Sequence, residues 1–161
     1  HRYAAVVVAH GHLWAPHLPT YDGLDDCSAE VLHASGLAAP SGWLEPDPHT
    51  LALPGHPTIY AVGDCTRIPT PAGQLPHAGV FAAAQGRVAA RNIAAQLTGS
   101  EPARFDGHGY CFLELPDQRV AFVQGNFYAD PSDVSLAPAD HAQFLHKQAY
   151  EHDHLAEWFG P

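Results

Sequence analysis

The chain has 161 residues, enough for a hydrophobic core, and its 46% hydrophobic content excludes a disordered chain. Seven Lys and Arg residues against 17 Asp and Glu give a formal net charge of −10 at pH 7. This charge argues against nucleic acid as a partner, because binding a phosphate backbone requires clustered cations. The three cysteines, Cys27, Cys65 and Cys111, have neither the spacing of a metal site nor the density of a disulfide framework.

The first predicted elements are a strand and a short helix. Residues 4–9 form an apolar run that predicts a buried strand, and the prolines within residues 16–19 end it as a loop. Residues 28–34 predict a short helix that Gly36 closes. Prolines and glycines in residues 40–57 rule out a helix there and indicate a surface excursion.

A β-branched and aromatic run that ends in Gly-Asp is the most informative local pattern. Residues 58–62 predict a buried strand, and Asp64 would then lie at the carboxyl edge of a sheet, where open α/β folds bind ligands. Gly63 would allow a ligand to approach closely, and Asp64 would accept hydrogen bonds from the hydroxyls of a ribityl chain or sugar. The alternative for Asp64 alone is a helix or turn cap.

Residues 78–97 predict the longest helix, which Gly99 ends. Its first turn, Ala78-Gly79-Val80, leaves N–H groups unpaired and carries a partial positive charge, which suits an electron-rich ring edge. The apolar stripe of this helix is expected to contain Val80, Ala84, Val88 and Leu97.

Two strands and a second helix are predicted in the last third of the chain. Residues 110–115 and 120–127 are strand-like, and Pro116-Asp117 between them suits the centre of a type I turn. Alternation places Cys111 on one face with two leucines. A helix should follow Asp140, a candidate cap. Its apolar stripe is expected to contain Phe144, Leu145, Gln148, His152, Leu155 and Phe159.

The Gly-Asp strand and the helix behind it resemble the second FAD-binding motif of the pyridine-nucleotide–disulfide oxidoreductase superfamily. The resemblance covers residues 41–159 and is to the branch of sulfide:quinone oxidoreductases and flavocytochrome c sulfide dehydrogenases. The similar segments, in chain order, are Ser41-Gly42-Trp43-Leu44, Asp47-Pro48-His49-Thr50, residues 58–64, residues 75–82, Asn92-Ile93, residues 109–114, residues 125–128, and His146-Lys147 with Glu151.

This resemblance implies an α/β (α+β) fragment, in which an incomplete Rossmann-like, FAD-binding portion is followed by a β-hairpin and a C-terminal helix region. Residues 1–99 would be a partial FAD/NAD(P)-binding domain and residues 100–161 the hairpin and helix region. The resemblance implies a nicotinamide domain after the N-terminal strand and loop, whereas here the helix at residues 28–34 follows directly. We expect either a missing internal segment or an abnormal joining of two pieces, with a seam near residues 24–27. No Gly-x-Gly-x-x-Gly follows a strand, so we expect this chain alone to bind FAD weakly or not at all and to be inactive.

The same resemblance assigns cofactor-binding roles. Asp64 would hold the ribityl chain of FAD, and the turn at Ala78-Gly79-Val80 would face the pyrimidine edge of the flavin. His77 stands where related enzymes have lysine, so it would carry a positive charge only when protonated. The residues implied in FAD binding are Gly63, Asp64, His77, Ala78, Gly79 and Val80.

Cys111 is the candidate catalytic residue. Its hairpin resembles the one that carries a redox cysteine in sulfide:quinone oxidoreductases, where a thiolate attacks or carries sulfur before electrons pass to the flavin. The alternative is a small core residue on an apolar strand face. No metal site is predicted despite 13 histidines, because His152 and His154 would point to different faces of a helix.

We therefore expect the complete protein to pass electrons through FAD from a small-molecule reductant to a quinone or another acceptor. The alternatives are an NAD(P)H-dependent quinone or disulfide reductase and a truncated, non-catalytic interaction module. Without a long apolar run or a signal-peptide pattern, we expect a cytoplasmic location. Acidic residues in the last helix oppose anionic lipid, so Trp158 and Phe159 should pack in the core or at a homodimer contact, with peripheral binding to the inner membrane as the alternative.

Overall fold

The computed structural model describes residues 34–131 and 133–160. The strand predicted at residues 4–9, the seam and nearly all of the helix predicted at residues 28–34 lie outside them. The described residues form a mixed α/β structure with small sheets and two α-helices. They divide into two compact units, the first with residues up to 69 and 74–105, the second with residues 70–73 and those from 106 onward. The domain boundary between residues 99 and 100 stays a prediction.

The first unit begins with a 3₁₀ helix, Ala34–Leu37, and a two-stranded antiparallel sheet of β1 (Ala52–Leu53) and β2 (His56–Tyr60). The strand predicted at residues 58–62 is confirmed for residues 58–60, which belong to β2. Its end and its burial were wrong, because β2 stops at Tyr60 and is exposed in its first three residues and half-buried in its last two. A tight turn at residues 54–55 folds β2 back onto a strand of only two residues, which leaves most of β2 uncovered.

A buried apolar cluster lies where the chain leaves β2. Leu44, Leu53 and Ala61 form this cluster, and Ile59 and Cys65 pack against it. Leu44 also forms an isolated parallel bridge with Thr66. The pairing of β1 with β2 is antiparallel, and so are the strand pairs of the three-stranded sheet in the second unit. The Rossmann-like portion therefore stays a prediction.

The long helix is confirmed. After the short strands β3 (Pro69–Thr70) and β4 (Gly73–Gln74), α1 runs from Gly79–Thr98 and ends at Gly99, whose left-handed φ of 74° makes it the C-cap. The expected apolar stripe was wrong in part, because Leu97 is 60% exposed and polar side chains take part in the buried stripe. The buried residues of α1 are Phe81, Gln85, Val88, Ala89, Asn92 and Ala95.

The second unit is a three-stranded antiparallel sheet in the order β5 (His108–Leu115), β6 (Arg119–Asn126) and β7 (Asp133–Asp140). The hairpin of β5 and β6 is confirmed, and β7 was not predicted. The expected type I turn was wrong, because Asp117 and Gln118 have φ values of 63° and 55°. A type I turn needs negative φ at both central residues, and the loop here contains the three residues 116–118, since Leu115 pairs with Arg119.

The second helix, α2 (His141–Phe159), packs on one face of this sheet. Phe112 of β5 has ring contacts with His146 and Tyr150 at centroid distances of 5.2 and 5.6 Å. Asp140 is confirmed as the cap, since its Oδ1 accepts a hydrogen bond of 2.8 Å from the backbone N–H of Gln143.

The apolar stripe expected for α2 was wrong for most of its members. Packing uses a neighbouring stripe that includes His146 and Tyr150, and the helix has no buried residue. Trp158 and Phe159 are 62% and 79% exposed, so the expectation that they enter the core was wrong for the part of the chain described. Within residues 34–131 and 133–160, no helix combines the length and apolar character needed to cross a membrane.

Candidate functional site

The Gly-Asp pattern forms a single 3₁₀ turn, Gly63–Cys65, in the first unit. Gly63 has a left-handed φ of 71°. Its N–H donates to Oε1 of Gln85 at 2.7 Å, while its carbonyl oxygen accepts from the N–H and hydroxyl of Thr66 at 3.0 and 2.7 Å. Gln85 and Thr66 are only 2% and 4% exposed, so two buried polar side chains hold the backbone of this turn.

Asp64 is the exposed residue of this turn, although the chain around it is held from the interior. It is one of the residues that line a small cavity, which is partly open to solvent. Because the carboxylate is exposed, a ligand can reach it without displacing the turn. The residues lining the cavity are Gly63, Asp64, Thr66, Ile68, Leu75, Pro76, His77, Ala78, Phe81, Ala82 and Gln85.

The beginning of α1 opens on the same cavity. Ala78 is the N-cap in an extended conformation, and its side chain makes no capping hydrogen bond. The first turn contains no acidic residue, so neither a capping side chain nor a carboxylate of that turn offsets the partial positive charge of its N–H groups. Ala78 and His77 line the cavity, whereas Gly79 and Val80 follow as the first two helical residues and do not line it.

His77 links the helix start to the Gly-Asp turn. Its Nε2 lies 2.9 Å from the carbonyl oxygen of Thr66. Since a carbonyl oxygen only accepts, this hydrogen bond requires a proton on Nε2, and a second proton would then enter at Nδ1. The side-chain Nε2 of Gln74 lies 3.0 Å from the same nitrogen. Because that amide nitrogen is also a donor, this contact becomes a hydrogen bond to a protonated Nε2 only when the amide is turned so that its oxygen faces His77.

A second motif of the first unit, Asp47-Pro48-His49-Thr50, is a structural turn. Oδ1 of Asp47 accepts hydrogen bonds from the N–H and hydroxyl of Thr50 and from the N–H of His49, at 2.7, 3.0 and 3.0 Å. These bonds, led by that from the Thr50 N–H, lower the pKa of Asp47 although partial burial opposes them. The buried amide of Asn92 then donates to the Thr50 carbonyl at 3.0 Å, which fastens the turn to α1.

Cys111 lies in the second unit, in the middle of β5. Its cross-strand neighbour is Val123 of β6, which in turn faces Leu136 of β7. Because Tyr110 and Phe112 contact α2, alternation puts Cys111 on the opposite sheet face. Burial raises the pKa of the Cys111 thiol, so this environment disfavours the thiolate.

The structure thus brings four of the six predicted cofactor-binding residues to one cavity. Gln85 was missed by the sequence interpretation, and its signal was a polar residue on the buried stripe of a helix, between Phe81 and Val88. Among residues 34–131 and 133–160, no three His, Cys, Asp or Glu side chains are grouped so that they could hold a metal ion.

No protein-family model matches this chain, but a curated protein is similar to part of it. Over 106 residues, or 65% of this chain, it is 28% identical to the mitochondrial sulfide:quinone oxidoreductase of Mus musculus. The match covers 22% of the mouse protein, so the chain spans about a fifth of the length of the curated relative that it matches. The chain is therefore similar to part of an oxidoreductase.

Proposed function

We propose that this chain is part of an FAD-dependent oxidoreductase similar to sulfide:quinone oxidoreductases. The observation that carries the proposal is that two features meet at one cavity: the exposed Asp64, and the beginning of α1, whose N-cap Ala78 makes no side-chain capping hydrogen bond. A carboxylate accepts hydrogen bonds from hydroxyls, and a helix N-terminus attracts electron-rich groups. The similarity to the mouse enzyme supports a reaction of the oxidoreductase class.

The residues present fit one section of FAD. The cavity is small and partly open to solvent, so it does not enclose a whole ligand. Its carboxylate and the nearby helix start offer the groups that a ribityl chain and the adjoining edge of a flavin ring would need, while the rest of FAD would bind elsewhere in a longer protein. When bound, FAD supplies the reversible uptake of electrons.

Within this proposal each side chain has a defined task. Asp64 would orient the ribityl hydroxyls by accepting their hydrogen bonds. The N–H groups of Gly79 and Val80, which begin α1 directly after the cavity-lining Ala78, would donate to the carbonyl groups at the pyrimidine edge. His77 adds a positive charge beside that edge when its Nδ1 is protonated. Because Gly63 has no Cβ, its turn can lie close to α1, where an added Cβ would lie 3.2 Å from the Cβ of Ala82.

Cys111 is proposed as one sulfur of the redox pair that receives a small sulfur-containing reductant before electrons leave for a quinone. The second cysteine of the pair would lie outside the described residues, since Cys65 packs in the first unit and donates to the Val62 carbonyl. Because burial raises its pKa, Cys111 would need a neighbouring base or positive charge from the complete protein to become a thiolate.

The first experiment measures flavin affinity in the gene product that carries this chain. Asp64→Ala should weaken FAD binding by about tenfold or more, because a hydrogen bond to a charged group contributes about 1.5–3 kcal/mol. Glu101→Ala is the matched control, since it removes another exposed carboxylate of the first unit that does not border the cavity. If the wild-type protein binds no flavin, or if the two variants bind FAD with equal affinity, the assignment of Asp64 as an FAD-binding residue is wrong.

The second experiment tests the sulfur chemistry in the same protein. Cys111→Ser should abolish sulfide-dependent bleaching of the flavin absorbance, while Leu113→Ala, an exposed change on the same strand face, should leave it intact. Undiminished bleaching in Cys111→Ser would take Cys111 out of the mechanism but would not affect the flavin assignment.

A further inference from the structure

The side-chain amide of Gln85 joins the two halves of the proposed flavin site. Gln85 belongs to α1, whose beginning forms one half, and its Oε1 accepts a hydrogen bond of 2.7 Å from the N–H of Gly63, which precedes Asp64 in the other half. The side chain is 2% exposed and also lines the cavity. One hydrogen bond therefore connects the turn that contains Asp64 to α1, whose first turn carries the N–H groups described above.

This contact restrains a turn that has an unfavourable conformation for most residues. Gly63 has φ of 71°, and its carbonyl oxygen is held by Thr66 while its N–H is held by Gln85. A buried amide left without its partner costs about 1–3 kcal/mol, so the side chain of Gln85 and the turn hold each other in place. Asp64 follows Gly63 in this turn, so the hydrogen bonds that hold Gly63 also fix the backbone position of Asp64 beside the cavity.

We propose that Gln85 is a positioning residue that sets the Asp64 carboxylate relative to the first turn of α1. The inference rests on the proposed flavin function and adds to it the side chain that preorganises the site. A carboxylate that is already in place when the ligand arrives avoids the entropy cost of ordering the turn, which raises affinity without a new ligand contact.

The test compares FAD dissociation constants in the full gene product. Gln85→Met keeps the length of the side chain but removes the acceptor, and it should weaken FAD binding by about tenfold, the equivalent of about 1.4 kcal/mol. Gln85→Glu retains an acceptor oxygen and should recover most of that affinity. Gln96→Met is the matched control: Gln96 also lies on α1 and donates to Pro57 and Tyr60 at 2.9 Å, but it does not line the cavity.

A double-mutant cycle separates positioning from general stabilisation. If Gln85 acts through Asp64, Gln85→Met should cause no further loss in the Asp64→Ala background, because the two changes remove one coupled contribution. A full additional loss in the double variant, or wild-type affinity in Gln85→Met, would overturn the inference and leave the flavin assignment standing.

A ligand-free readout keeps the two proposals distinguishable. The N–H of Gly63 should exchange with solvent about tenfold faster in Gln85→Met than in wild type, and the control Gln96→Met should show no change at Gly63. If the wild-type protein bound no flavin, the proposed function would fail. The Gly63 exchange rate would still decide whether Gln85 holds the turn, and an unchanged rate would reject that role.

Discussion

Replacing Gly63 by alanine is a direct test of the turn that presents Asp64. Gly63 has φ of 71°, in the left-handed region, and an added Cβ would lie 3.2 Å from the Cβ of Ala82 on α1. A non-glycine residue in the left-handed helical conformation costs roughly 1–2 kcal/mol, and the close contact adds to this cost. We expect Gly63→Ala to lower the free energy of unfolding by about 2 kcal/mol, or about 30-fold in the folded-to-unfolded ratio.

Gly86 provides a control of opposite sign in the same unit. It lies within α1, and a Cβ built there would have no neighbour within 4 Å. Because glycine in a helix interior is less favourable than alanine, Gly86→Ala should raise the free energy of unfolding by about 0.5–1 kcal/mol.

The assay is urea unfolding followed by the far-ultraviolet circular dichroism of the helices, with both variants and the wild type measured together. A Gly63→Ala variant as stable as wild type would show that Gly63 does not have a left-handed φ. The proposal that this turn presents Asp64 to a ligand would then lose its structural basis. A destabilised Gly86→Ala variant would instead contradict the open space found beside that residue.

Three further changes test the framework around the site. Asn92→Leu should lower the free energy of unfolding by about 2–4 kcal/mol in urea titrations, because two backbone groups lose their buried partner; a loss below half of that would contradict it. Asp140→Ala should cost about 1 kcal/mol and speed amide exchange in the first turn of α2. In a variant without the other cysteines, Cys111 should react with iodoacetamide more slowly at neutral pH than the cysteine of an unstructured peptide, because its raised pKa shifts thiolate formation to higher pH. If the rate of alkylation rises with pH at the same midpoint as in the peptide, or at a lower one, the effect of burial is contradicted.

Local signals account for the elements that the sequence predicted well. The alanine-rich run before Gly99 and the cap at Asp140 specify helix limits within a few residues, so α1 and the start of α2 were expected. β7 was missed because its sequence contains Pro138 and small residues, and its strand conformation depends on pairing with β6. Pairing partners lie in different segments of the chain, so a pattern within one segment does not reveal them.

The buried faces of the helices were harder to predict for a different reason. An apolar pattern cannot show that Gln85 and Asn92 are buried, since each is stabilised there by backbone groups from other segments, at Gly63 and at Thr50. On α2 the sheet selects an aromatic and histidine stripe in place of the leucines. Hydrogen-bond demand and aromatic packing thus override hydrophobic periodicity at these positions.

The roles of Gln85 and Thr66 also bear on the choice between a turn cap and a ligand contact for Asp64. The hydrogen bonds that hold Gly63 are donated by the N–H and hydroxyl of Thr66 and accepted by Oε1 of Gln85, so they come from groups other than the Asp64 carboxylate. Asp64 is exposed, and the N-cap of α1, Ala78, makes no side-chain capping hydrogen bond. A turn built from buried polar groups to present an exposed acid is the arrangement expected of a preorganised binding residue, and it favours ligand contact over capping.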